Sequence, residues 1–187
     1  KDIVKLLLDH LERIEPNAKS SYNGCTAFMM ACLNGHKDVV KLLLDNPERI
    51  ELNARNNEGR TAFMVACYNG HKDVVQLLLD HSQRIDLNAR TNKGNTAFMW
   101  ACLKGHKGVV KLLLDHSERI YLNARTIFGG ETAFMLACRY GHKDIVRLLL
   151  NRSDPEVNDR ETAFMVACHN EHKDVVKLLK DHSERIL

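Results

Sequence analysis

The sequence has no long hydrophobic run: its aliphatic stretches stop at "LLL" and "VV", far short of the roughly 18 apolar residues that a membrane helix needs. No charged-then-apolar segment of the kind that directs secretion opens it, because Lys1 already stands inside a helical pattern. Excess charge of either sign is also scarce. The formal +3 is too small to argue for nucleic acid from composition. There is no "GxGxxG", no "GKS" or "GKT" phosphate loop, and no serine–histidine–aspartate set with a plausible site. These absences argue against membrane insertion and against catalysis, and no cofactor is expected. What remains is 187 residues at 44% hydrophobic, the composition of an ordinary folded chain.

What the sequence does have is itself, repeated. "TAFM" begins at Thr26, Thr61, Thr96, Thr132 and Thr162. "GHK" follows at Gly35, Gly70, Gly105 and Gly141, with "EHK" at Glu171. A "KDVVKLLLD"-like run comes next, and "LNAR" closes three of the units. Self-similarity at a period near 35 residues predicts a stacked solenoid rather than a compact domain. The units divide as 20–54, 55–89, 90–124, 125–158 and 159–187, after a partial one at 1–19.

Each unit reads as two short helices. The first runs from about Thr61 to Asn69, where Thr61 can cap the start and Gly70 can take the left-handed conformation that ends it. The second starts near Lys72, with Asp73 suited to the positive end of the helix dipole. Val74, Val75, Leu77, Leu78 and Leu79 give it an apolar side too wide for one partner, so it must pack on its own first helix and on both neighbours. A polar stretch such as "NARTNKG" (88–94) then makes a projecting turn.

At these residues the chain resembles the ankyrin repeat family. "TAFMVAC" stands where the family has Thr-Pro-Leu-His-Leu-Ala-Ala, "GHKDVVQLLLD" resembles its Gly-His-x-x-Val-Val-x-Leu-Leu-Leu, and "LNAR" its Val-Asn-Ala. The resemblance covers essentially the whole chain. It implies a mainly α fold: an ankyrin-type helical solenoid of stacked helix-turn-helix units, with projecting β-hairpin fingers and a concave binding face. Two departures stand out. Ala and Met replace the family's Pro and His, which removes its Thr–His hydrogen-bond link. The ending "HSQRIDLNA" (81–89) is two residues longer than the family's. The resemblance also implies that hairpin asparagines, here Asn53, Asn88, Asn123 and Asn158, can be hydroxylated; their simpler expected role is to bond backbone in their own turn.

Five of the six cysteines stand four residues before a histidine: Cys32/His36, Cys67/His71, Cys102/His106, Cys138/His142 and Cys168/His172. That spacing puts both side chains on one helical face, where a metal could bridge them. Structural zinc needs four ligands, and each repeat offers two, so the cysteines read as small buried hydrophobes. Disulfides between them are not expected either. Packed helices lie about 8–10 Å apart, beyond the reach of that bond. A reducing, intracellular and cytoplasmic home follows, with the nucleus left open. Cys25, just before a capping Thr, is expected at the surface and open to oxidation.

Function is sought where the repeats differ. Three first-helix positions vary: Met30, Val65, Trp100, Leu136, Val166; then Leu33, Tyr68, Leu103, Arg139, His169; then Asn34, Asn69, Lys104, Tyr140, Asn170. Their i, i+3, i+4 spacing shares one face, which the resemblance places on the concave groove. Tyr68, Trp100, Lys104, Arg139 and Tyr140 include the types enriched at binding hot spots. On the fingers, Lys19, Arg55, Arg90 and Arg125 form a basic column that could meet an acidic partner. Glu58, Glu131 and Glu161 dilute it, and Phe128 with Ile127 puts apolar surface on the fourth fingertip. The fifth finger, "SDPEVNDRET", is short, and Glu171 and Lys180 give the last unit a capping character. "KDIVKLLLD" (1–9) reads as a second helix without its first, which predicts a natural chain extending further that way.

The expectation is therefore a monomeric, non-catalytic scaffold that binds a protein partner, one with an acidic surface, through the concave face and fingers. The alternative is a spacer or regulatory arm of a larger protein without a ligand of its own.

Overall fold

The computed structural model describes residues 15–46, 48–152 and 160–184. They form helix pairs in sequence order: α1 (Ala27–Leu33) with α2 (Lys37–Leu44), α3 (Ala62–Asn69) with α4 (Lys72–Asp80), α5 (Ala97–Lys104) with α6 (Lys107–Asp115), α7 (Ala133–Arg139) with α8 (Lys143–Leu150), and α9 (Arg160–His169) with α10 (Lys173–Ser183). First helices pack on first helices of the neighbouring pairs, and second on second, as a solenoid requires.

The expected signals set the helix ends. Thr26, Thr61, Thr96 and Thr132 cap the first helices, each hydroxyl accepting from the backbone N–H three residues on at 3.3–3.4 Å. Gly70 and Gly105 end α3 and α5 at φ 76° and 77°. A side chain at Gly70 would be strained by that φ and would also stand 2.5 Å from His106 Nδ1 of the next repeat. The glycine therefore serves both the turn and the joint between repeats.

The core is built from equivalent residues of successive units. Phe28, Phe63, Phe98 and Phe134 are fully buried, as are Met29, Met64 and Met99. The methionine that stands for the family's histidine retains part of its link in one repeat, where Met99 Sδ accepts from the Thr96 N–H at 3.5 Å. The longer endings have a packing role: they carry Ile50, Ile85 and Ile120, with Leu52, Leu87 and Leu122, into the core.

Adjacent units are joined by side chains that reach neighbouring backbone. His71, His106, His142 and His172 place Nε2 2.8–2.9 Å from the carbonyl oxygens of Leu33, Tyr68, Leu103 and Arg139 in the preceding unit. The asparagines of the turns do the same in the other direction. Asn53 donates to the Arg84 carbonyl and accepts from the Asp86 N–H, both at 2.8 Å, and Asn88 repeats this with Arg119 and Tyr121. The expected local bond within the turn is thus replaced by a pair of bonds to the next turn. An amide offers a donor and an acceptor side by side, and the extended backbone of the longer ending presents both.

The projecting fingers are tight turns, and no β-strand occurs among the described residues. Thr91 N–H bonds the Asn95 carbonyl at 2.9 Å and Asn92 N–H the Glu58 carbonyl of the previous turn at 3.1 Å. Three or four residues between the bonded pair leave no length for a two-stranded ladder. The partial unit (1–14), the short fifth finger with Asn158 (153–159) and the last three residues lie outside the described residues.

Candidate functional site

The varied positions share a face, as their spacing predicts, but they are not equally available. Val65 and Leu136 are buried and complete the core, whereas Met30 is exposed and Trp100 half-buried. Asn34, Asn69 and Asn170 fold back onto their own helices, each amide donating to the carbonyl four residues earlier at 2.8 Å. The departures from that pattern, Lys104 and Tyr140, leave a cation and an exposed ring at the same place.

Four side chains from two repeats meet on this face. Tyr68 comes from the last turn of α3, and Trp100 from the first half of α5 one unit later. Their rings meet edge to face, centroids 5.1 Å apart at 75°. The Arg60 guanidinium lies 5.1 Å from the Tyr68 centroid and 4.9 Å from that of Trp100. Lys104 Nζ stands 4.5 Å from the Tyr68 centroid. Each cation faces the negative surface of a ring, and Arg60 Nε also pairs with Glu58 at 2.7 Å. Three charges, two of them positive, thus surround a preformed aromatic pair.

Arg60 was absent from the residues singled out by sequence. It precedes the capping threonine, at a position that reads Cys25, Arg60, Asn95, Glu131 and Glu161 along the chain. That variation, with its change of charge sign, was the available signal.

Beyond Trp100 the face continues to α7. Arg139 is held by Glu131, Nε donating to Oε1 at 2.7 Å. The Tyr140 ring stacks on His142 at 6.4 Å and 16°, and Phe128 stands 74% exposed on the fourth turn. Two hollows lie along this face, of about 270 and 370 Å³, and Trp100 lines both. The second is also bordered by Phe128, Arg139 and Tyr140.

The basic column sits elsewhere, and its donors are engaged. Lys19 Nζ donates to the Arg55 carbonyl at 2.9 Å, Arg55 to that of Arg90 at 2.5 Å, and Arg90 to that of Arg125. Arg125 bonds the Gly130 carbonyl of its own turn at 3.0 Å. These residues tie turn to turn, while their charge remains at an exposed surface.

The Cys–His pairs divide between core and joint. Cys32, Cys67, Cys102 and Cys138 are wholly buried, and burial pushes their thiols up, Cys138 to about 12 and the others further. Their histidines from His71 onward point Nε2 at neighbouring carbonyls. No group of three or more metal-type side chains occurs among the described residues. Cys25 departs from expectation: it is 5% exposed, because the next turn covers it and Asn56 Nδ2 approaches its sulfur at 3.6 Å. Cys168, by contrast, is exposed.

A tandem stack of capped helix pairs, joined through backbone and varied along one face, defines a repeat scaffold. The family model described as ankyrin repeats (3 copies) matches residues 1–56, 48–126 and 119–186, and the chain belongs to the ankyrin repeat family. Ankyrin repeats are generally protein–protein interaction modules, typically without catalysis. No curated protein matches this chain. No helix among the described residues is long and apolar enough to cross a membrane.

Proposed function

We propose that the chain is a non-catalytic scaffold, monomeric and cytoplasmic, that holds a protein partner against the concave face of its first helices. The observation that carries this reading is the Arg60–Tyr68–Trp100–Lys104 cluster. Tyr, Trp and Arg are the side chains in which binding energy concentrates. Here they are packed against one another before any partner arrives, so little side-chain freedom is lost on docking. Both charges of the cluster are positive, with Glu58 beside Arg60 offsetting one of them, which favours an acidic partner surface. Arg139, Tyr140 and Phe128 extend the surface over the next repeat. Arg55, Arg90 and Arg125 contribute long-range attraction more than contact, since their donors already serve backbone carbonyls, those of neighbouring turns for Arg55 and Arg90 and that of its own turn for Arg125. Six free cysteines in a chain of this size fit a reducing compartment.

Parallel capture from cell lysate tests this, with the chain and its Tyr68→Ala/Trp100→Ala/Tyr140→Ala variant as baits. Circular dichroism checks that both are folded. A protein retained by the first and lost by the second is the expected result. Equal capture by both, or none by either, removes the concave face as the site and favours a spacer arm.

A further inference from the structure

The chain's charge is not spread evenly along the stack. The unit 90–124 carries six cations, Arg90, Lys93, Lys104, Lys107, Lys111 and Arg119, against two acids, Asp115 and Glu118. Its net +4 exceeds the +3 of the whole chain, and every other unit, the partial one included, lies between −1 and +1. Two replacements account for half of it. Lys104 stands where three units have Asn34, Asn69 and Asn170, and Gly108 where the other four have Asp38, Asp73, Asp144 and Asp174.

The fold asks for neither replacement. Gly108 has no left-handed φ, and a Cβ there would meet nothing nearer than Lys72 Cδ at 3.7 Å. Glycine is a poor helix former, and α6 is left without an acid at the positive end of its dipole. Lys104 forgoes the bond by which the three asparagines close onto their own helices. Local rules broken without a local gain are the mark of a functional surface. Little of the charge is neutralised. Lys107 Nζ pairs with Asp144 at 2.9 Å, and Arg119 Nε lies 3.9 Å from Glu118. Lys93, Lys104 and Lys111 are exposed and form no ion pair among the described residues.

We infer that the unit 90–124 seats an acidic surface of the partner protein, whose carboxylates meet Lys93 and Lys104 around the Tyr68–Trp100 pair. This rests on the concave-face reading above and deepens it by naming the unit that takes the partner's charge. Charge complementarity selects the occupant, and its distribution selects a protein over a nucleic acid. A chain of regularly spaced phosphates is held by cations along a stripe, but here they are confined to one unit, about 10 Å of the stack. Unpaired bases stack on open ring faces, whereas the rings of Tyr68 and Trp100 already carry Arg60 and Lys104.

The test uses Lys104→Asn/Gly108→Asp, which installs residues that other units already bear at these positions. Its melting temperature should rise, because Asp serves the start of α6 better than Gly, so weaker binding cannot come from instability. The probe is poly-L-glutamate at low salt, followed by the fluorescence of Trp100, the single tryptophan of the chain. The variant should bind about fivefold more weakly than the intact chain. A control, Lys37→Asn/Lys41→Asn, lowers the net charge by the same two units in the unit 20–54 and should leave the affinity within about twofold. Equal weakening by the control overturns the inference, since net charge alone would then decide. So does an absence of binding, or tighter binding of polyuridylate than of poly-L-glutamate of equal length. The lysate capture separates this from the concave-face reading. A protein lost on Tyr68→Ala/Trp100→Ala/Tyr140→Ala but fully retained by Lys104→Asn/Gly108→Asp overturns the inference and leaves that reading standing, and a protein weakened by both supports the two together.

Discussion

The heptapeptide "TAFMVAC" occurs twice, at residues 61–67 and 162–168, each time soon followed by "HKDVV". At 61–67 all seven residues are buried; at 162–168 only Ala163 and Ala167 are, and Met165 is 57% exposed. Both copies are helical. The difference lies in the neighbours, because α3 packs on α1 and α5 while α9 packs on α7 alone among the first helices. Local sequence therefore dictates the helix, whereas burial is a property of position in the stack. The unit also differs in sequence at two positions. Lys180 replaces a leucine and extends Nζ to 5.8 Å from the Phe164 ring, and Glu171 holds φ 59° where the other units have glycine.

The comparison can be broken most sharply through the cysteines. A thiol reacts as its thiolate and only when reached. Cys67 is buried and its thiol is pushed up chiefly by desolvation, with a smaller contribution from Cys32, while Cys168 is exposed. Maleimide labelling of the native chain at pH 7, followed by mass spectrometry, should modify Cys168 at least about a thousandfold faster than Cys67, since Cys67 must await opening against several kcal/mol. Comparable rates at the two sites would mean that the stack is not closed over α3.

The next largest contrast is in stability. Met64→Ala removes a side chain 1% exposed and should cost about 2–5 kcal/mol in urea unfolding. Met165→Ala, in the identical heptapeptide, should cost under about 1 kcal/mol because its side chain is largely in solvent. Equal costs would show the two helices equally packed in solution.

The smallest contrast concerns the turns. Gly70→Ala puts a Cβ against His106 at φ 76° and should destabilise by about 1–2 kcal/mol. Glu171→Gly relieves a left-handed residue and should stabilise by up to about 1 kcal/mol. A loss of melting temperature on Glu171→Gly would mean that its side chain contributes more than its backbone costs.

Much of the fold was legible because its causes are local. Thr61, Gly70, Asp73 and the Val74–Leu79 run give the helix pair from their own spacing. What was illegible is non-local. Asn53 bonds a turn 31 residues on, Arg55 a carbonyl 35 residues on, and Cys25 is hidden by the next turn. Of the candidate site, Tyr68, Trp100 and Lys104 were found by comparing repeats. Arg60 was not, because it lies outside the helix whose face was being read and reaches that face from the preceding turn.

The joints have one further consequence. The histidine Nε2, the asparagine amide and the column cation each grip main-chain atoms of the adjoining unit, and every residue carries those atoms whatever its side chain. Beyond the glycine against which each histidine packs and the core residues common to the units, these joints make little demand on the neighbour's side chains, so the positions on the varied face can change while the seams keep their bonds. The chain is built like type set in a composing stick: the shank of each piece is common, and only the face that prints has to change.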